Sequence, residues 1–193
     1  MSKKVLFTAL FATVIVFSVS AQKLQGDLEP LKNQEEVNLV IDFSETTVNG
    51  GSFEKYMAAE TKGKSESAKE DWIDDWEEKL PAEAFSLLTI SFNDRISNKY
   101  FTLGESKKAE YTIIVKVIDI TTGSFAGPFS KPSKLRTEVS FVKKGEKTPF
   151  ATVEYKESRN SASTMIPNSI LRISMSFTTL GEDLSATVSR ALR

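Results

Sequence analysis

Tyr111-Thr112-Ile113-Ile114-Val115-Lys116-Val117-Ile118-Asp119-Ile120 is the stretch on which the fold turns. Its β-branched side chains favour an extended backbone, where a branched Cβ packs without crowding a preceding helical turn. The run is apolar on both faces for most of its length, the pattern of a central strand covered on at least one side by helices. After it, Leu135, Thr137, Val139 and Phe141 alternate with Arg136, Glu138 and Ser140, the period of two expected of a half-exposed strand. A turn at residues 143–147 leads into a further strand, with Ala151, Val153 and Tyr155 on one face and Thr152, Glu154 and Lys156 on the other. The short links between these strands predict an antiparallel meander.

Beyond the meander, Ile170, Ile173, Phe177, Leu180, Leu184, Val188 and Leu192 mark one stripe of a long helix, capped by Asn168 or Ser169. On the N-terminal side, residues 37–43 read as a buried strand closed by turn chemistry at residues 44–47 and at Asn49-Gly50-Gly51. Residues 52–60 hold one or two helical turns. Ser67 three residues before Glu70 has capping-box spacing, and Trp72, Ile73, Trp76 and Leu80 follow at helical spacing. Pro81 suits the first turn of a helix carrying Phe85, Leu88, Phe92 and Ile96, so the two form an angled pair or one helix kinked at Pro81. The first strand lies beside residues 111–120, parallel or antiparallel to them.

These elements predict an α/β (α+β) domain over residues 37–193 in the order strand-helix-helix-strand-strand-strand-helix. A single, mostly antiparallel sheet of about four strands packs against the helices. Residues 22–36 are polar, contain Gly26 and Pro30, show no apolar period and read as a leader. Ahead of them, Lys3 and Lys4 precede an uncharged run from Val5 to Phe17 that ends in Ser18-Val19-Ser20-Ala21. That order predicts a secretory signal over residues 1–21, cleaved between Ala21 and Gln22, and hence a secreted or periplasmic product. The apolar run falls short of the about 20 residues that a membrane-spanning helix needs, so no transmembrane segment is expected in the mature chain.

Composition excludes much chemistry. The chain of 193 residues has no cysteine and no histidine, which removes disulfides, thiol nucleophiles, lipid-anchoring cysteines, the usual zinc sites and Ser-His-Asp triads. A net charge of -1 gives no electrostatic reason to bind nucleic acid. No catalytic residue, metal site or cofactor is assigned.

Four segments carry a resemblance: Asp42-Phe43-Ser44-Glu45-Thr46 with Asn49-Gly50, Asp71-Trp72-Ile73-Asp74-Asp75-Trp76-Glu77, Phe92-Asn93-Asp94-Arg95-Ile96, and Tyr111 to Val117. Together they resemble a group of small secreted bacterial proteins of unassigned function. More distantly, the element order is similar to small α/β domains of cell-envelope lipoproteins and assembly factors. Unlike the lipoproteins, this chain has no Cys at its signal site. The resemblance brings no catalytic residues.

Asp42 and Asp119 stand near the C-terminal ends of two apolar strands, where open α/β sheets place ligand groups. The plainer reading is that each carboxylate faces solvent or caps a loop. Trp72 and Trp76 could form an exposed stacking platform, but beside Ile73 and Leu80 they read as a core stripe. Residues 121–133 make an unusually long link between strands. Phe125 and Phe129, among Gly, Ser and Pro and near Lys131, either fold back on the sheet or meet a partner, and folding back is the simpler arrangement for two anchors on one loop.

Three functions follow. The first is a non-enzymatic domain that binds a protein or cell-envelope component through the 121–133 loop or a strand edge. The others are a hydrolase of carbohydrate that uses carboxylates alone, and a carrier for a small apolar ligand.

Overall fold

A computed structural model describes residues 23–96 and 99–193. The expected signal segment 1–21 lies outside the described residues. The strands are β1 (Gln25–Gly26), β2 (Glu36–Asp42), β3 (Thr47–Val48), β4 (Thr102–Gly104), β5 (Tyr111–Thr121), β6 (Lys134–Lys143) and β7 (Ala151–Arg159). They form one sheet in the order β1-β7-β6-β5-β2-β4, with β3 also pairing to β5. The central position of β5 and the β5-β6-β7 antiparallel meander agree with the sequence reading.

The expected sheet of about four mostly antiparallel strands needs correction: seven strands pair, and the sheet is mixed. β2 runs parallel to both β5 and β4, and β3 runs parallel to β5. β1, β3 and β4 are two or three residues long, too short for a period-two pattern to register in sequence. A helical excursion of this length permits either direction, and here it returns the chain to the end of the sheet where β2 began, so the pairing is parallel.

That excursion comprises α1 (Phe53–Glu60), α2 (Glu66–Asp74), a π-helical turn (Asp75–Lys79) and α3 (Leu80–Ile96). The cap of α2 lies two residues before the expected one: Ser65 accepts from the Ala68 N–H at 3.3 Å. The π turn and α3 continue α2 without a break, so the helices are not an angled pair. The Leu80 N–H reaches back five residues to the Asp75 carbonyl, directly before Pro81, which has no N–H to donate.

The final helix, α4 (Ser169–Ala191), is capped by Asn168, whose side chain accepts from the Leu171 N–H at 3.0 Å. Its predicted stripe is buried throughout. Phe177 and Leu184 on this stripe pack, together with Leu88 and Phe92 of α3, against the sheet face that bears Ile113, Val115, Val139 and Tyr155. α3 and α4 meet at Gly181, where a Cβ would fall 2.1 Å from Ser91 Oγ and 2.6 Å from the Leu88 carbonyl oxygen. Only glycine permits that approach.

The polar leader also needs correction, because Leu28 and Leu31 are fully buried and Gln25–Gly26 pairs with β7. Leu24, Leu28 and Leu31 stand three or four residues apart, but Gly26 and Pro30 interrupt any helix over them, and all three pack on the core. Among the described residues, no helix is long and apolar enough to cross a membrane.

Candidate functional site

Since β2 and β5 are parallel, the connections that follow them leave the same end of the sheet. β6 begins and β7 ends there too, with Lys134 paired to Arg159. Residues 43–52, 122–133 and 160–168 therefore gather at one end of the domain.

Asp42 and Asp119 both sit at this end, and each serves a turn. Asp42 accepts from the Ser44 N–H at 2.9 Å. Hydrogen bonds from Ser44, with a smaller contribution from the Lys116 charge, hold its carboxyl below the ordinary range. Asp119 Oδ1 accepts from Thr47 Oγ1 at 2.5 Å and from the Gly50 N–H at 3.0 Å. Asn49 occupies the left-handed region at φ 52°, which Asn tolerates better than most residues. Its side-chain oxygen accepts from the Thr122 N–H at 3.0 Å. The two aspartates thus close turns as caps, and the lowered pKa of Asp42 is opposite to what a general acid needs. Asp183, which burial does push up, lies on α4 with Glu182 and Arg95 as its charged neighbours.

The 122–133 connection is a compact hairpin. Ser124 and Lys131 exchange two backbone hydrogen bonds of 2.9 Å. Gly123, at φ 68°, lies so close to the returning strand that a Cβ would come 2.5 Å from the Lys131 carbonyl oxygen. At the tip, a 3-10 turn (Gly127–Phe129) is braced by Ser130 Oγ, which accepts from the Ala126 N–H and donates to the Gly127 carbonyl. Phe125 is 51% exposed and Phe129 80% exposed. The expectation that they fold back on the sheet is thereby corrected: the short hairpin turns its two rings outward, and Lys131 is exposed beside them.

The base of the hairpin is fixed by a residue that the sequence reading passed over. Arg172 of α4 is almost fully buried. Its Nε donates to the Thr122 carbonyl at 2.9 Å, and one terminal nitrogen donates to the Ile166 and Pro167 carbonyls at 2.7 and 3.1 Å. Burial pulls its pKa below the usual arginine value, yet the guanidinium stays charged at any biological pH. Ser133 completes the anchor, donating to the Arg172 carbonyl and sharing a 2.7 Å hydrogen bond with Ser176 Oγ. An arginine next to Ile173 in the buried stripe was the available signal. The same clamp holds the connection after β7, whose 3-10 turn (Ser161–Met165) presents Met165 at 78% exposure.

Between the β2 connection and the helices lies a cleft of about 510 Å³. Val48, Trp76, Leu80 and Ile120 form its buried floor, and Phe43, Phe53 and Pro81 its half-buried walls. Trp72 and Trp76 join Phe53 and Tyr56 in an aromatic cluster with ring centroids 5.4–6.2 Å apart. The tryptophans are therefore packing residues, and Trp76 also faces the cleft.

No family model matches this sequence, and no curated protein matches it. Among solved structures, the PelC dodecamer from Paraburkholderia phytofirmans is similar at a TM-score of 0.45 and 4% identity, covering 83% of this chain and 96% of that one. A Xanthomonas campestris protein of the DUF330 family is similar at a TM-score of 0.34 and 10% identity, covering 87% of this chain and 93% of that one.

Proposed function

We propose that this chain is an exported, non-enzymatic binding domain that meets a protein or another cell-envelope component through Phe125, Phe129 and Met165, with Lys131 at the border. One observation carries the reading: two phenylalanines project from a hairpin whose backbone is already braced by hydrogen bonds at its tip and its base. A loop ordered before contact loses little further freedom on binding, and large apolar side chains are the usual anchors of an interface. Residues 120–137 and 158–181 contain no Asp or Glu, so this surface suits a neutral or acidic partner. The secretory signal over residues 1–21 is the support for export.

The test is the double variant Phe125→Ser, Phe129→Ser. Capture of partners from an envelope extract should be lost while the melting temperature stays nearly unchanged, because both rings already face water. A collapsed melt would make the rings core residues. Retained capture with retained stability would move the contact to a strand edge.

A further inference from the structure

The cleft between the β2 connection and the helices has a chemistry of its own. Its interior is apolar and aromatic, while three carboxylates, Glu45, Glu54 and Glu77, line its exposed rim. Among the described residues, no Lys or Arg side chain lines it. Two of the three negative charges are answered locally. Glu45 is paired with Lys116. Glu54 stands in the first turn of α1, where its own backbone N–H and then Ser52 hold its carboxylate ionised below the ordinary pKa. Glu77 has no ion-pair partner among the described residues.

Glu77 and Trp76 reach the cleft from the π-helical turn Asp75–Lys79. A π turn inserts one residue into the helical register, is rare, and occurs often at functional sites. Here the register shift brings an indole and an unpaired carboxylate to one cavity. Aromatic rings attract a cation through the negative faces of their π systems, most strongly where water is excluded. A volume of about 510 Å³ falls in the range of sites that hold a compact small molecule.

We infer that this cleft is a binding site for a small organic cation, an amine carried on a compact apolar body. The ammonium group meets Glu77 at the rim and the rings of Phe43, Phe53 and Trp76, and the apolar body rests on Val48, Leu80 and Ile120. This site is independent of the hairpin surface, so either can fail without the other.

Titration with phenethylamine, followed by the fluorescence of Trp72 and Trp76, tests it against hydrocinnamate, which has the same apolar body and the opposite charge. A saturable change is expected with the amine at up to millimolar concentration, and none with the carboxylate. Glu77→Gln should weaken amine binding by about tenfold, whereas Glu78→Gln, on the same turn but outside the lining, should leave it unchanged. An absent amine response, equal binding of the two probes, or an undiminished response in Glu77→Gln would each overturn the assignment.

Discussion

The connections after β2 and β5 leave the same end of the sheet and solve the problem of an ordered loop in opposite ways. In residues 43–52, carboxylates at the strand ends cap the turn, Val48 turns inward and is buried, and the polar rim faces water. In residues 122–133, the polar groups point inward, Thr122 and Ser133 meeting the Arg172 clamp, while Phe125 and Phe129 face outward. Both loops are held by hydrogen bonds, so order alone does not separate a connector from a contact surface. The direction of the apolar side chains does. A loop that could bury its rings and instead braces them in water has an arrangement that packing within the domain does not explain.

The largest test of this contrast is Arg172→Met. Methionine keeps most of the buried volume but removes the donors to the Thr122, Ile166 and Pro167 carbonyls. Leaving buried acceptors without a charged donor should cost about 3 kcal/mol, or roughly 10 °C in melting temperature for a domain of this size. Partner capture should fall with it, because the hairpin and the Met165 turn lose their shared base. A melt within a degree of wild type would mean that the carbonyls find other donors, and that the two loops do not depend on one clamp.

The contrast also marks where sequence reading reached and where it stopped. The stripe from Ile170 to Leu192 was legible because seven apolar residues repeat at helical spacing, and every one of them is buried. β5, β6 and β7 were legible from β-branching and alternation. Leu28 and Leu31 were not, because burial of leucines in a segment broken by Gly26 and Pro30 depends on what the rest of the chain leaves uncovered. Nor was the parallel pairing of β2, which a long helical excursion permits in either direction. Asp42 ends β2 and Asp119 stands two residues before the end of β5, and each accepts hydrogen bonds from the turn beside it, an arrangement that apolar period alone does not reveal. The outward turn of Phe125 and Phe129 was missed because it depends on Gly123 and on hydrogen bonds that form only in the folded hairpin.

A smaller effect should come from the first loop. Asp119→Ala removes the acceptor for Thr47 Oγ1 and for the Gly50 N–H, and two such bonds in a half-exposed turn should be worth about 1–2 kcal/mol together. Hydrogen exchange separates this from a general loss of stability. The Gly50 amide should exchange faster in the variant, whereas the Phe129 amide, bonded to the Ala126 carbonyl at 3.2 Å, should be unaffected. If both amides speed up alike, the two connections are one cooperative unit and the comparison between them fails.

The smallest expected effect is electrostatic and concerns Asp42. Ser44 hydrogen bonds and the Lys116 charge favour the ionised carboxylate in the folded protein, so its pKa lies below the ordinary 3.8. A carboxyl with a depressed folded pKa contributes stability in full above its unfolded pKa and loses it as pH falls through the folded value. Asp42→Asn keeps an acceptor for the Ser44 N–H but has no charge to lose. At neutral pH the variant should therefore be slightly less stable than wild type, by a few tenths of a kcal/mol because the site is partly open to water. Urea unfolding from neutral pH down to about pH 3 should show the two proteins converging as the wild-type carboxylate protonates. A difference that persisted unchanged at the acid end would locate the role of Asp42 in its shape as a cap, and a wider gap there would reverse the sign of the argument.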